Sequence, residues 1–328
     1  MQEHVIYLAA DDVRRALPMP EAVSAMRGAF AQLASGAAVV PPRTVIDLPA
    51  ERGDFLLMPA VLDGGKAVGA KLLTLLPGNP QAGRPLIHAL MVLFDGETGQ
   101  PSAILDGGAL TAIRTGAVSG VATDLLARQD SAVVGVVGAG RQARTQLEAV
   151  CCVRSIRQVH VFDAIPAAAE SFAAEMSATL GVRIDPAPTA GDAVAQADIV
   201  CAATTSGTPV FGDEDVQPGT HLNAIGCYHT HRHEIPPETV GRASVVVDQL
   251  EAARDEAGDI VIAIERGLMS WQDVYAELGE LAAGQKPGRR DDDEITLFKS
   301  VGLALQDVAA AACLLENARG LGLGIELG

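Results

Sequence analysis

Residues 131–150 read SAVVGVVGAGRQARTQLEAV, and QVHVFD follows at 158–163. An apolar run leads into a glycine turn, a helical stretch and a second apolar run. Gly138-Ala139-Gly140-Arg141-Gln142-Ala143 fits G-x-G-x-x-A in that strand–turn–helix setting. The first glycine makes the tight turn, the second lets backbone approach a pyrophosphate, and the small third residue lets helix and strand pack closely. The helix N-terminus then presents N–H donors to the phosphates. Asp163 ends the next run, twenty residues after Ala143, where a carboxylate meets the adenosine ribose hydroxyls. No arginine follows at 164–166 to receive a 2′-phosphate. The expected cofactor is therefore NAD rather than NADP.

Outward from this core, β-like and helical stretches alternate. Helices are expected over 166–180 and 190–196, and strands at ADIVCAATT (197–205), HLNAIG (221–226) and SVVVD (244–248). Apolar strands alternating with helices predict a doubly wound parallel sheet, a Rossmann domain of the α/β class. Ligands sit at the carboxyl ends of such strands. That places Thr204 and Gly226 near the nicotinamide half, with a plain polar cap as the other reading of Thr204.

The flanks have a different pattern. Helical spacing covers 11–36, with a second stretch over 21–33 after Pro20. Runs TVIDL (44–48), DFLLMPAVL (54–62), AVGAKLLTLL (67–76) and ALMVLF (89–94) are separated by Gly, Pro and Asp, which predicts antiparallel strands. GALTAIRTGAVSGVATDLLA (108–127) reads as one helix of small residues, and 295–319 reads as a terminal helix returning to the first domain. The expected division is an α+β domain, 1–123 with 301–328, and a Rossmann domain, 124–300.

A net charge of −17 repels nucleic acid phosphates and anionic lipid, so neither is an expected partner. Five cysteines, an odd number with no C-x-x-C pair, suit a reducing cytoplasm. Residues 1–10 lack a basic stretch, against a signal peptide. No apolar run reaches the ~20 residues of a membrane span.

PPR at 41–43, Lys71 within VGAKLL, TAIRTGA at 111–117, GAGRQA at 138–143, HLNAIG at 221–226 and FKSVGLALQD at 298–307 recur in order along the chain. With them the sequence resembles the ornithine cyclodeaminase/mu-crystallin family. The resemblance implies a substrate-binding and dimerisation domain completed by the C-terminal helix, a homodimer, and a small amino-acid or cyclic-imine substrate. It places Arg43 and Lys71 at the substrate, and Arg114 at substrate or cofactor phosphates. It lines the cofactor with Arg141, Gln142, Asp163, Thr204, Gly226, Arg232 and Ser300, beside Gly138 and Gly140. The physical reading agrees for three of these. A guanidinium fork matches a carboxylate, so Arg43 suits an anchor. Lys71 lies in an apolar run, and a desolvated lysine serves as acid or base near neutrality. Arg114, mid-helix among small residues, reads as an anchor or a structural ion pair.

One segment departs from the family pattern. Cyclodeaminase-like members carry a basic aspartate shortly after the NAIG-type strand. Counting back from Glu234, Tyr228 holds that place, and Thr230 replaces the family proline. A tyrosine, with an ordinary pKa of ~10, donates a proton more readily than it removes one. The expected activity is therefore NAD-dependent reduction of a cyclic imine of the ketimine or pyrroline-2-carboxylate type, or interconversion of an amino acid and its imine, with Lys71 and Tyr228 as catalytic candidates. An ornithine cyclodeaminase-type lyase with recycled NAD and a non-catalytic mu-crystallin-like binder are the alternatives. His229, His231 and His233 also have metal-ligand spacing, but the resemblance calls for no metal there.

Overall fold

The computed structural model describes residues 4–327; Met1–Glu3 and Gly328, the tips of the expected first domain, lie outside the described residues. The chain forms two units, Met1–Arg114 with Leu303–Gly328, and Thr115–Gly302. The division falls inside the helix Gly107–Leu126, nine residues before the expected boundary.

In the first unit, strands Thr44–Asp47, Asp54–Leu62, Ala67–Leu75, Ile87–Asp95 and Pro101–Asp106 pair antiparallel in sequence order. Val5–Leu8 joins Pro101–Asp106 in parallel, and Ile325–Leu327 closes that edge, giving seven strands. Side chains alternate across the sheet. Leu56, Met58, Ala60, Leu73, Met91, Leu93, Ala103 and Leu105 point to one buried face. The helix Ala304–Leu321 packs on that face, burying Leu305, Val308, Leu314 and Leu315. Lys71 lies in the same buried layer, paired across the ladder with Met58 on one side and Met91 on the other.

The second unit is an eight-stranded, wholly parallel sheet. Its order runs outward from Val133–Val137, through Gln158–Phe162 and Arg183–Pro186 on one side. On the other side lie Ile199–Ala202, His221–Ala224, Thr296–Lys299, Ser244–Val247 and Ala276–Glu277. Alternate residues feed two cores. Val134, Val136, Val159, Val161 and Ile199 pack with Leu147 and Phe172 of helices Arg141–Val153 and Pro166–Leu180. Val200, Ala202, Leu222, Val245 and Leu297 pack with Val240, Ala253 and Ile260 of the helices beyond. Helices on both faces make the sheet doubly wound, and the order reverses between Val133–Val137 and Ile199–Ala202, which sets the binding crevice there.

The expected helix over 295–319 is corrected: Thr296–Lys299 is a fully buried strand of the parallel sheet, and the helix starts at Ala304. TLFK is a short apolar run running straight into helical spacing, so periodicity alone does not separate them. A buried carboxylate makes the break. Asp248 Oδ2 accepts from Ser300 Oγ at 3.0 Å and from the N–H groups of Val301 and Gly302 at 2.9 Å each. No helix among the described residues is long and apolar enough to cross a membrane.

Candidate functional site

The glycine turn of the second unit is built for a close ligand. Gly138 sits at φ +93°, and a Cβ there would come within 2.7 Å of the Ala203 carbonyl, so the chain passes over the end of the neighbouring strand only without a side chain. Gly140 caps the helix Arg141–Val153 with no side-chain hydrogen bond, and a Cβ on it would meet nothing within 4 Å. The space beside the start of this helix is therefore open, and an uncapped helix N-terminus with room beside it fits a dinucleotide pyrophosphate.

Asp163 does more than its position implied. Its two oxygens accept from Ala139 N at 2.7 Å and Ile165 N at 2.9 Å, which fixes the turn and keeps a carboxylate lone pair on each oxygen for a ribose. Arg144, which the sequence reading missed, supports the same turn. It donates to the carbonyls of Ala139 (2.7 Å) and Gly140 (3.0 Å), is paired with Glu175 at 2.8 Å, and lies over Phe172. Its arginine type, one turn into the helix, is the only sequence signal it leaves. Arg141 is exposed at the helix start, and Gln142 is half-buried with its Oε1 unpartnered among the described residues.

The ends of the next two strands are tied by buried charges. Glu234, fully buried, accepts from Thr204 N at 2.6 Å, and burial raises its proton affinity. Gly226 leaves no room for a Cβ between the Thr204 carbonyl and Glu234. Lys299 pairs with Asp259 at 2.7 Å and donates to the Cys227 carbonyl at 2.6 Å, while Asp259 Oδ1 accepts from Glu234 N and Ile235 N at 2.7 and 3.0 Å. Burial alone would pull the Lys299 ammonium down; Asp259 and Glu234 outweigh it and hold it above the ordinary lysine value. This network pins both ends of the 227–235 loop. Within that loop Arg232 donates to the Thr205 carbonyl, and Tyr228 is half-buried with its ring 4.5 Å from that of His229. His229 and His231 are exposed and stacked at 5.6 Å, whereas His233 is buried. Ser300, expected at the cofactor, gives its hydroxyl proton to Asp248.

The first unit gathers cations around one carboxylate. Lys71 Nζ lies 2.8 Å from Asp307 Oδ2 and 3.5 Å from Thr111 Oγ1. Arg114 Nε lies 3.0 Å from Asp307 Oδ1, and Arg114 also donates to Gln306 Oε1. Lys71 is 2% exposed and Asp307 0%, so this is a desolvated cluster. Burial lowers the Lys71 pKa to about 8, with Arg114 and Arg43 adding to the fall and Asp307 opposing it. Arg43, half-buried just before the strand Thr44–Asp47, thus acts on the same ammonium. The ion-pair reading of Arg114 is the one seen here, and its partner is the carboxylate that also holds Lys71. Gln306 and Asp307 were missed as site residues, although they close the FKSVGLALQD run. An aspartate in a first helical turn reads as a partner for the helix dipole.

The solved structure of Thermococcus litoralis Δ1-pyrroline-2-carboxylate reductase in complex with NADH and L-proline is 41% identical, with TM-score 0.95, over 98% of this chain and 100% of that one. An archaeal alanine dehydrogenase dimer with bound NAD is 38% identical, with TM-score 0.92 and 99% of each chain covered. The Δ1-pyrroline-2-carboxylate reductase of Bacillus cereus (strain ZK / E33L) is 37% identical over 325 residues, 98% of this chain and 100% of that protein. The model of the ornithine cyclodeaminase/mu-crystallin family matches residues 2–322, and the chain belongs to that family.

Proposed function

We propose that this chain is an NAD-dependent oxidoreductase that reduces a small cyclic imine bearing a carboxylate, of the Δ1-pyrroline-2-carboxylate type, to the corresponding cyclic amino acid. The observation that carries the reading is the buried Lys71 ammonium, 2.8 Å from Asp307, whose other oxygen is paired with Arg114; burial lowers the lysine pKa to about 8. Similarity to reductases named for that imine points the same way.

Gly138, Gly140 and the first turn of the helix Arg141–Val153 would hold the cofactor pyrophosphate, and Asp163 would take the adenosine ribose. When bound there, the reduced nicotinamide would supply the hydride that the imine carbon gains. Arg43 binds the substrate carboxylate through its two-pronged guanidinium. Protonated Lys71 gives the ring nitrogen the proton it gains on reduction, and Arg114 is kept beside it by Asp307 and Gln306. Tyr228 contributes a hydrogen-bond donor. Reduction needs a proton donor and no permanent carboxylate base, which this set provides.

The sign of the pH dependence follows. Below about 8 Lys71 carries its proton as an ammonium, and above it the side chain is a neutral amine. The kcat/KM for imine reduction is expected to fall as pH rises through about 8, and that for amino-acid oxidation to rise over the same interval. A reductive profile flat across that interval would remove Lys71 from the proton transfer. The primary test is NADH oxidation with a panel of cyclic imines.

The protein works as a homodimer joined through the first unit. The outer face of its sheet carries the rows Leu57–Leu72–Leu90, Pro59–Ala70–Val92–Ile104 and Val61–Val68–Phe94 across adjacent strands. Leu90 remains 46% and Phe94 38% exposed, although the opposite face is buried. An apolar sheet face of that width is stabilised by stacking on a second sheet, and a similar archaeal enzyme is described as a dimer. Light scattering is expected to give twice the chain mass of 33.8 kDa, and Leu90→Lys to shift it toward one chain. A monomeric wild type at micromolar concentration contradicts the assignment.

A further inference from the structure

We infer that Asp307 is a positioning residue for the reaction proposed above: its carboxylate, shared between Lys71 and Arg114, fixes where the Lys71 ammonium stands and keeps the proton on it. The inference rests on that reading of the function and assigns a role to a residue that touches neither imine nor cofactor in it.

The geometry is specific. The helix Ala304–Leu321 enters the sheet of the first unit with Asp307 in its first turn. Each carboxylate oxygen serves one cation, Oδ2 for Lys71 Nζ at 2.8 Å and Oδ1 for Arg114 Nε at 3.0 Å. Gln306, the preceding residue, takes a second guanidinium N–H of Arg114, so the fork is held at two points. The elements packed around Lys71 offer little else. Its flanking strands present Met58 and Met91, which are apolar. The helix Gly107–Leu126 presents the Thr111 hydroxyl at 3.5 Å and the Arg114 cation. Arg43 adds a further positive charge from the segment before the strand Thr44–Asp47. Burial, Arg114 and Arg43 all push the proton off Lys71, and the carboxylate that opposes them is Asp307.

A buried carboxylate with one cation beside each oxygen, one of them the proposed proton donor, differs from an ordinary structural ion pair. Its removal changes which form of Lys71 is present, and not only how firmly the helix is docked. An opposite charge at this range moves a titration by about one to three pH units. Without Asp307 the lysine becomes neutral at a pH where the wild type still has a proton to give.

The test reads the lysine directly and needs no turnover. The chain has four lysines, Lys66, Lys71, Lys286 and Lys299. Protein labelled with 13C at the lysine ε-carbon gives resonances that Lys71→Met assigns. In the wild type the Lys71 resonance is expected to titrate with a midpoint near 8. In Asp307→Asn the midpoint is expected to fall by about one unit or more, and the descending limb of kcat/KM for imine reduction to move with it. Asp307→Glu keeps the charge and should return the limb toward its wild-type position while kcat stays reduced. A midpoint unmoved by Asp307→Asn, in an enzyme that reduces imines, overturns the role of Asp307 alone. A wild type inert toward cyclic imines overturns it together with the proposed function. If Asp307→Asn does not fold, the wild type still decides: a Lys71 midpoint below neutrality shows that the carboxylate does not hold the proton, and overturns the inference.

Discussion

Lys71→Met should abolish most imine reduction, lowering kcat by roughly 10²–10⁴-fold, the usual contribution of a positioned proton donor, while NADH binding stays within a few-fold. The side chain is embedded between Met58 and Met91. A methionine there is similar in length, lacks the ammonium and matches its neighbours, so the sheet should accept it. Asp307 keeps Arg114 as a partner in the variant, which limits the cost of the orphaned charge. The turn proposed for the cofactor, around Gly138, Gly140 and Asp163, belongs to a different unit of the chain. Steady-state turnover and NADH fluorescence titration separate the two effects. Near-normal turnover in this variant would remove Lys71 from the chemistry.

The largest expected loss of stability comes from Lys299→Met. Lys299 and Asp259 are both fully buried, and Asp259 lies among groups that cannot follow it into water. Removing one member of a buried pair leaves an uncompensated charge, at a cost of about 3–5 kcal/mol. The double variant Lys299→Met/Asp259→Asn should recover part of that. Its neutral amide oxygen still accepts from Glu234 N and Ile235 N, as Asp259 Oδ1 does at 2.7 and 3.0 Å. Denaturant midpoints at constant slope measure both changes. A single variant as stable as the wild type would mean that the 227–235 loop is not anchored by this pair.

Much of the cofactor half was legible in sequence because its requirements are local. The turn at Gly138 needs a positive φ, the helix starts directly after Gly140, and Asp163 directly follows the adjacent strand. Each demand is met within one β-α-β unit. The Lys71 cluster is different. Its strand shows in the spacing, but Asp307 lies more than two hundred residues away and becomes a partner only once the terminal helix packs on the sheet. The same holds for Lys299, Asp259 and Glu234. Lys299 even fell inside an expected helix, because TLFK has neither the length nor the alternation that distinguishes a buried parallel strand. Arg144 was invisible for another reason: nothing in its helical position distinguishes a brace of the glycine turn from a solvated surface arginine.

Tyr228 bears on the direction of the chemistry. Cyclodeamination must remove protons from an amine and steer a second amine onto an imine carbon, and both steps favour an ionised carboxylate. Glu234, the buried carboxylate that follows this loop, is packed against Gly226 with one oxygen taken by the Thr204 N–H at 2.6 Å, so it is held in the loop's own framework. The decisive measurement is a paired assay on one enzyme batch: NADH consumption with Δ1-pyrroline-2-carboxylate, and ammonia release from ornithine with catalytic NAD. The expected result is stoichiometric NADH oxidation with the imine, yielding proline, and little ammonia from ornithine. Robust conversion of ornithine to proline with ammonia release and no net change in NADH, alongside no imine reduction, would contradict it and make the enzyme a lyase.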